Sequence, residues 1–367
     1  MKITLEPKEL ERDPSLFDWA LRTARQPGDQ IVVLPGAIAI TRGSWAFREF
    51  GWIGLAAGVS LILTGSTLQL SMAADRVTDG IERPSKDLNL LWIGDGASIK
   101  GGVLDANFKA HPGWSCGGVR AFGRCTLEKL TIIGLSGSRK LQESFAFSAQ
   151  GATGGTIISE VAVEKCKVDD NDSYVSGIYV GATEDNGVHS TVKGCNVKLG
   201  PRGQFAYSST FNTLFKDCYG EAMRFWYTDT GPGIARIANC KGHVSYSAIG
   251  SVATPYDLDV VLAKVSRVNR QVIVANSDFV ALDLATAEKV FGPNPNLGAR
   301  WVEWWNKSAE GIGAVVIVES TLTGFRWRSA IAAETGAVIY LSCFGATTDG
   351  DTVTPESFQP ISEEIET

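Results

Sequence analysis

Short apolar runs, each closed by Gly, Asn or Asp, follow one another along most of this chain. QIVVLPG, VSLILTG, LNLLWIG, ASIKGGVLDAN, GGVRAFG and LTIIGLSG are examples. Each holds a few strand-prone residues and then a turn signal, which is the pattern of a short β-strand. No helical period separates the runs from Gln30 onward, so alternating βα units are disfavoured.

A second pattern is laid over the first. VEKCKV, VKGCNV, FKDCYG and IANCKG place Cys166, Cys195, Cys218 and Cys240 after similar apolar steps. Their spacings are 29 (195−166), 23 (218−195) and 22 (240−218) residues. A period of this size marks a solenoid, in which each coil buries its apolar face only by stacking on its neighbours. Later coils keep the shape and change the marker, to Asn276, Ser320 and Cys343. Stacked at one turn, the cysteines read as small buried side chains, with disulfides between coils as the alternative.

Residues 13–25 break the β pattern. Asp13 can cap, Pro14 suits the first helical position, and Gly28 follows the end. Leu16, Phe17, Ala20, Leu21 and Ala24 share one face. This segment is expected to be a helix that covers the open end of the solenoid. The apolar stretch from Phe50 to Leu63 has 14 residues, too few to span a bilayer, and reads as a buried strand pair. Residues 136–150 and 283–312 read as insertions between coils, and 352–367 as an acidic tail. WVEWW in the second insertion places Trp301 and Trp304 or Trp305 on one face if it is helical. These indoles either wall a cleft or staple the insertion to the body.

Composition adds exclusions. The chain has 367 residues, 40 glycines and a net charge of −6. Such a charge carries no nucleic-acid footprint. No cysteine pair has zinc-ribbon or redox CxxC spacing. MKITLEPKELERDP has no apolar signal segment, so the expected location is cytoplasmic if this start is native, and secreted otherwise. No membrane partner is expected.

The segment IKGGVLDAN, with Gly101, Gly102, Asp105, Ala106 and Asn107, resembles a recurrent coil of the pectin-lyase-like superfamily. GDQIVVLPGAIAI resembles its opening strand, and CTLEKLTIIG from Cys125 resembles a further coil. The resemblance spans roughly residues 30–350 and implies an all-β, right-handed, single-stranded parallel β-helix. With the N-terminal helix and the tail, residues 1–367 then form one domain. That superfamily holds lyases, hydrolases, epimerases, phage adhesins and inert scaffolds. The polygalacturonase set of N-T-D, D-D and G-H-G is not matched, since Gly242-His243 continues with Val244. The pectate-lyase strings W-x-D-H and R-x-P-x-x-R are absent. No family's catalytic residues transfer to this chain.

The resemblance implies that the strand after the Cys turn faces substrate. In this chain those strands are 176–182, 204–210, 223–229 and 246–252. If Ile178, Phe225 and Ile249 point inward, alternation turns Tyr179, Arg224 and Trp226 outward, where an aromatic beside a cation suits a sugar or sugar carboxylate. Glycoside hydrolysis needs two carboxyl groups about 5 to 9.5 Å apart, and Asp229 with Glu184 or Asp185 is the expected pair. β-Elimination would use Arg224, Arg202 or Tyr179 instead. In β-elimination a cation or Ca²⁺ would neutralise the uronate carboxylate, and Asp169–Asp172 offers oxygen ligands for Ca²⁺ as the one candidate cofactor. Trp304 is a further candidate for sugar contact. His111, His189 and His243 are dispersed, and only His189 adjoins the expected groove. The expected function is cleavage of an oligo- or polysaccharide by a hydrolase or lyase. A non-catalytic glycan-binding or adhesive β-helix, monomeric or trimeric, is the alternative.

Overall fold

The computed structural model describes residues 1–40, 54–70, 87–112, 114–137, 144–167, 175–184, 187–208, 213–228, 233–251, 270–281, 301–304, 314–323, 326–329, 338–344, 347–348 and 351–352. Apart from one short antiparallel pair near the C-terminus, the paired strands run parallel, each one coil above the last. Three parallel sheets result. The first runs from Lys2–Leu5 through Ser60–Leu63, Cys125–Glu128 and Thr213–Lys216 to Arg270–Ala275 and beyond. The second includes Thr67–Leu70, Val103–Asp105, Thr131–Ile133 and Ala162–Glu164. The third includes Asp87–Ile93, Ser115–Ala121, Ser144–Thr153 and Val175–Glu184. From Asn196–Ser208 onward one bent strand serves both the second and the third sheet. This is a parallel β-helix.

The strand Ser144–Thr153 corrects one expectation. Its sequence SFAF was read as part of an insertion, but it pairs in register with Val175–Glu184 and is an ordinary strand of the third sheet. Of the stretch from Phe50 to Leu63, only residues 54–63 are described. They contribute one strand, Ser60–Leu63, and an isolated bridge from Leu55 to Ile93. Trp301–Trp304 is not helical but a strand in a separate four-stranded sheet, so Trp301 and Trp304 do not share a helical face. Residues 282–300, 305–313 and 353–367, with most of the second insertion and the tail, lie outside the described residues.

The N-terminal cap is built from two helices and a strand. Lys2–Leu5 pairs with Gln30–Val33 and opens the first sheet one coil earlier than the sequence pattern indicated. Pro7–Arg12 and Ser15–Thr23 follow it and bury Leu10, Phe17, Ala20 and Leu21. The helix expected over 13–25 is Ser15–Thr23, and Asp13 stands just before it. There its carboxylate accepts from the Ser15 amide at 3.0 Å and the Ser15 hydroxyl. Pro7, which lacks the N–H that a first helical turn leaves unbonded, starts the shorter helix.

The turn between the first and second sheets explains the cysteine repeat. One residue takes a left-handed conformation: Lys129, Glu160, Gly194, Asp217, Asn239 and Asn276 have φ of 55, 53, 62, 55, 54 and 48°. The next residue points into the core: Leu130, Val161, Cys195, Cys218, Cys240 and Ser277 are all buried. A left-handed non-glycine residue costs roughly 1–2 kcal/mol. The stack offsets this by continuing its ladder through the turn. The amides of Glu160, Gly194 and Asp217 donate to the carbonyls of Lys193, Lys216 and Ala238 at 2.9, 2.9 and 3.0 Å. Asn276 therefore occupies the left-handed position and Ser277 the inward one, two roles that the sequence pattern merged. Cys166 belongs to neither. It follows left-handed Lys165 after the second sheet, and its coil's counterpart of Cys195 is Val161.

Six cysteines in the described residues are free thiols. Burial pushes Cys125 and Cys166 up to about 12. Cys195 and Cys240 are raised by hydrogen bonds to Cys218 and by burial. Their S–H groups lie 3.5 and 3.4 Å from the Lys193 and Ala238 carbonyls. Access therefore limits reaction. In the native protein Cys116, Cys125, Cys195, Cys218 and Cys240 are expected to resist Ellman's reagent on a timescale that consumes glutathione, and to react at once in guanidinium. Native-state labelling at any of the five, located by peptide mapping, would show that the coils open there.

Candidate functional site

The third sheet carries one polar or aromatic side chain per coil at the centre of an apolar triplet. Leu91-Trp92-Ile93, Val119-Arg120-Ala121, Phe147-Ser148-Ala149 and Ile178-Tyr179-Val180 lie in register. The flanking residues of every triplet are buried in the core at 3% exposure or less. Alternation then sends the central residues to the outer face. The row Trp92, Arg120, Ser148 and Tyr179 follows, with side chains repeating about every 4.8 Å along the stack. Its register continues through Tyr207 and Tyr227.

Side-chain contacts order this face. The Arg120 guanidinium carbon lies 5.0 Å from the centre of the Trp92 ring, in cation–π range. Trp92 stacks on Phe122 with centroids 4.9 Å apart at 19°. Phe145 tilts against Tyr179 at 5.4 Å. Gly181 makes room for that tyrosine, since a Cβ there would lie 2.9 Å from its Cε1. Between Arg120 and Tyr179, the Ser148 hydroxyl is shielded and has no hydrogen-bond partner. At the margin, Arg124 grips Asp95 through Nε and Nη2 at 3.3 and 3.1 Å and holds that carboxyl below its usual range. The face offers flat apolar rings and a cation, which together suit the C–H faces and oxygens of a sugar.

The expected site residues are placed as follows. Tyr179 lies on this face. Trp226 pairs with Ala206, which pairs with Ile178, so its register is that of a buried row, and Tyr227 takes the position in line with Tyr179. Arg224 pairs with Gln204 and Ser247, three residues (227−224) along the strand from the Tyr179 row. Arg202 falls in the register irregularity between Gly200 and Gln204. Glu184 ends its strand opposite Thr153. Trp304 ends the strand in the separate sheet. Asp185, Asp229 and the Asp169–Asp172 cluster lie outside the described residues. Among the described residues no group of three His, Cys, Asp or Glu is placed to hold a metal ion. No described helix is long and apolar enough to cross a membrane.

Trp92, Arg120 and Ser148 were missed in the sequence. Their signal is the apolar-x-apolar triplet, which becomes visible only when the strands are aligned coil by coil.

A second polar cluster lies on the outer face of the second sheet. The Tyr219 hydroxyl donates to Glu221 Oε1 at 2.7 Å, and His243 Nδ1 lies 3.5 Å from that tyrosine hydroxyl. Burial and the Glu221 carboxylate raise the Tyr219 phenol, which stays protonated. His189 is exposed, while His111 is buried with Nδ1 3.0 Å from the Asn107 carbonyl. The GGVLDAN residues have structural roles. Asp105 accepts from the Asn107 amide and Gln69 Nε2 at 2.8 Å each, and Asn107 Nδ2 donates to the Leu70 carbonyl.

No family model matches the chain, and no curated protein matches it. Among solved structures it is similar to a hyperthermoactive exopolygalacturonase from Thermotoga maritima, with 12% identity, a TM-score of 0.47, and coverage of 95% of this chain and 92% of that one. The stacked parallel sheets themselves show the expected parallel β-helix fold.

Proposed function

We propose that this protein acts on an oligo- or polysaccharide laid along the outer face of the third sheet. The observation that carries this reading is the in-register row of Trp92, Arg120, Ser148 and Tyr179, backed by Phe122 and Phe145. A sugar polymer crossing successive coils would meet a ring, a cation and, past the shielded Ser148, a second ring in turn. Cleavage would fall to carboxylates that follow the strands, with Glu184, Asp185 and Asp229 as the candidates, by hydrolysis or by β-elimination. Arg224, Arg202, Trp226 and Trp304 rank behind the row. A second reading, a face that binds glycan without turnover, is favoured by the absence of any carboxylate among the row's described side chains.

One experiment separates these readings. The protein is titrated with a panel of neutral and uronate-containing oligosaccharides, and products are weighed by mass spectrometry. Trp92→Ala and Tyr179→Ala are each expected to weaken binding about tenfold, on the order of 1 kcal/mol for a stacked ring. Products of full hydrolytic mass support the hydrolase, products lighter by one water the lyase, and saturable binding without products the binder. Unchanged affinity in both variants, with their melting midpoints intact, would remove this face from the reading.

A further inference from the structure

The outer face of the first sheet changes character along the stack. In its early coils the polar side chains are paired with one another. Ser98 donates to Ser60 Oγ at 2.8 Å, and Lys100 pairs with Glu128 at 3.0 Å. Three coils starting at Ser190–Lys193 present cations instead. Lys193 and Lys216 are exposed register partners on adjacent strands. Arg236 follows one coil later, between Leu214 and Ile273, and points outward because Ala235 and Ile237 are buried in the core. Arg236 Nη1 is shielded from solvent and has no hydrogen-bond partner.

None of the ion pairs among the described residues involves Lys193, Lys216 or Arg236. The nearby carboxylates are Asp217 and Glu160, at the adjoining turns. Asp217 Oδ1 accepts from Asn239 Nδ2 at 3.1 Å. Glu160 lies against Gly194, with its Cγ 3.6 Å from where a Cβ would stand. Like charges directly opposite on neighbouring strands repel. A shielded guanidinium donor without an acceptor is costly in the same way. The repulsion falls when oxyanions lie across the three coils, because the exposed lysines act as point charges and the accessible edge of the guanidinium donates N–H bonds to a carboxylate or sulfate.

We propose that Arg236, Lys216 and Lys193 form a binding strip for a linear polyanion carrying carboxylate or sulfate groups, separate from the glycan face of the third sheet. Lys193 and Lys216 share one row, and Arg236 lies one coil further and two residues back along its strand, because Lys216 pairs with Ala238 and Leu214 with Arg236, so the strip crosses the three coils obliquely. Such a site would anchor the protein to an acidic matrix while leaving the third sheet free.

The test is electrophoretic retardation in native gels containing dextran sulfate or polygalacturonate, with neutral dextran as the control. The wild-type protein is expected to be slowed by at least one of the polyanions and not by dextran, and added salt should relieve the slowing. Arg236→Gln combined with Lys216→Gln should restore the mobility seen in dextran, with an unchanged melting midpoint. Arg236→Leu alone should melt no lower than the wild type, because it removes the shielded charge beside Leu214 and Ile273. Equal retardation of wild type and double variant would overturn the proposal, as would no retardation of the wild type at low salt. Retardation that is lost in Trp92→Ala and kept in the double variant would also overturn it, by placing the polymer on the third sheet.

Discussion

Phe225→Ala is expected to destabilise the protein by about 3–5 kcal/mol, the range for deleting a fully enclosed aromatic ring. Phe225 is completely buried. Its ring stacks on Phe205 at 4.3 Å and 8°, and meets Phe279 edge-on at 4.9 Å. The second sheet is shaped around these rings. Glycine stands at 220 and 242 where a Cβ would come within 2.9 Å of Phe205 and of Phe279. Removing the central ring leaves a void that neither glycine can fill, and two further rings lose their contact. Because coils are coupled only to their neighbours, the loss should appear as an earlier transition of this part of the stack. Urea denaturation followed by intrinsic fluorescence and by circular dichroism measures it. Phe225→Leu keeps most of the volume and should cost under about 1.5 kcal/mol. An alanine variant no less stable than the leucine one would mean that the neighbouring rings close the gap.

Gly102→Ala should cost about 2–6 kcal/mol, combining backbone strain with overpacking. Gly101 and Gly102 both have left-handed φ, 75 and 76°, where later coils use a single such residue. A Cβ on Gly102 would stand 2.5 Å from Leu63 Cβ and 2.6 Å from the Ser66 carbonyl oxygen. That carbonyl accepts the Val103 amide at 2.8 Å, so relieving the clash means breaking a ladder bond between coils. Gly65→Ala is the control. Its φ of 81° imposes the same strain, but nothing lies within 4 Å of the added carbon. It should lose only the roughly 1–2 kcal/mol of a left-handed non-glycine residue. Equal midpoints for the two variants would show that the backbone conformation, and not the close approach of two coils, sets the need for glycine at 102.

Several features of this protein follow from the residue pattern alone. Runs such as QIVV, SLIL and ASIK alternate with turn residues because each strand has one buried face, and that local rule is written in the chain. The small residues at the turn and the apolar face of Ser15–Thr23 were legible for the same reason. Tyr179 was placed outward correctly because its neighbours Ile178 and Val180 are apolar. The limits are equally physical. A left-handed residue and the inward residue after it are adjacent in every coil, so their markers blur into one repeat, and Cys166 joined a ladder to which it does not belong. SFAF was taken for an insertion because strand identity in a solenoid comes from the partner one coil away.

The sequence by itself determined that the chain coils, where it turns, and which side chains are small enough to stack. Only the tertiary structure decided register, and with it the site. Bulges between Ala222 and Arg224 and between Gly200 and Gln204 shift the pairing, so that Tyr227 and not Trp226 lines up with Tyr179. That shift is set by contacts between coils some 20 to 40 residues apart in the chain, and no local pattern records it.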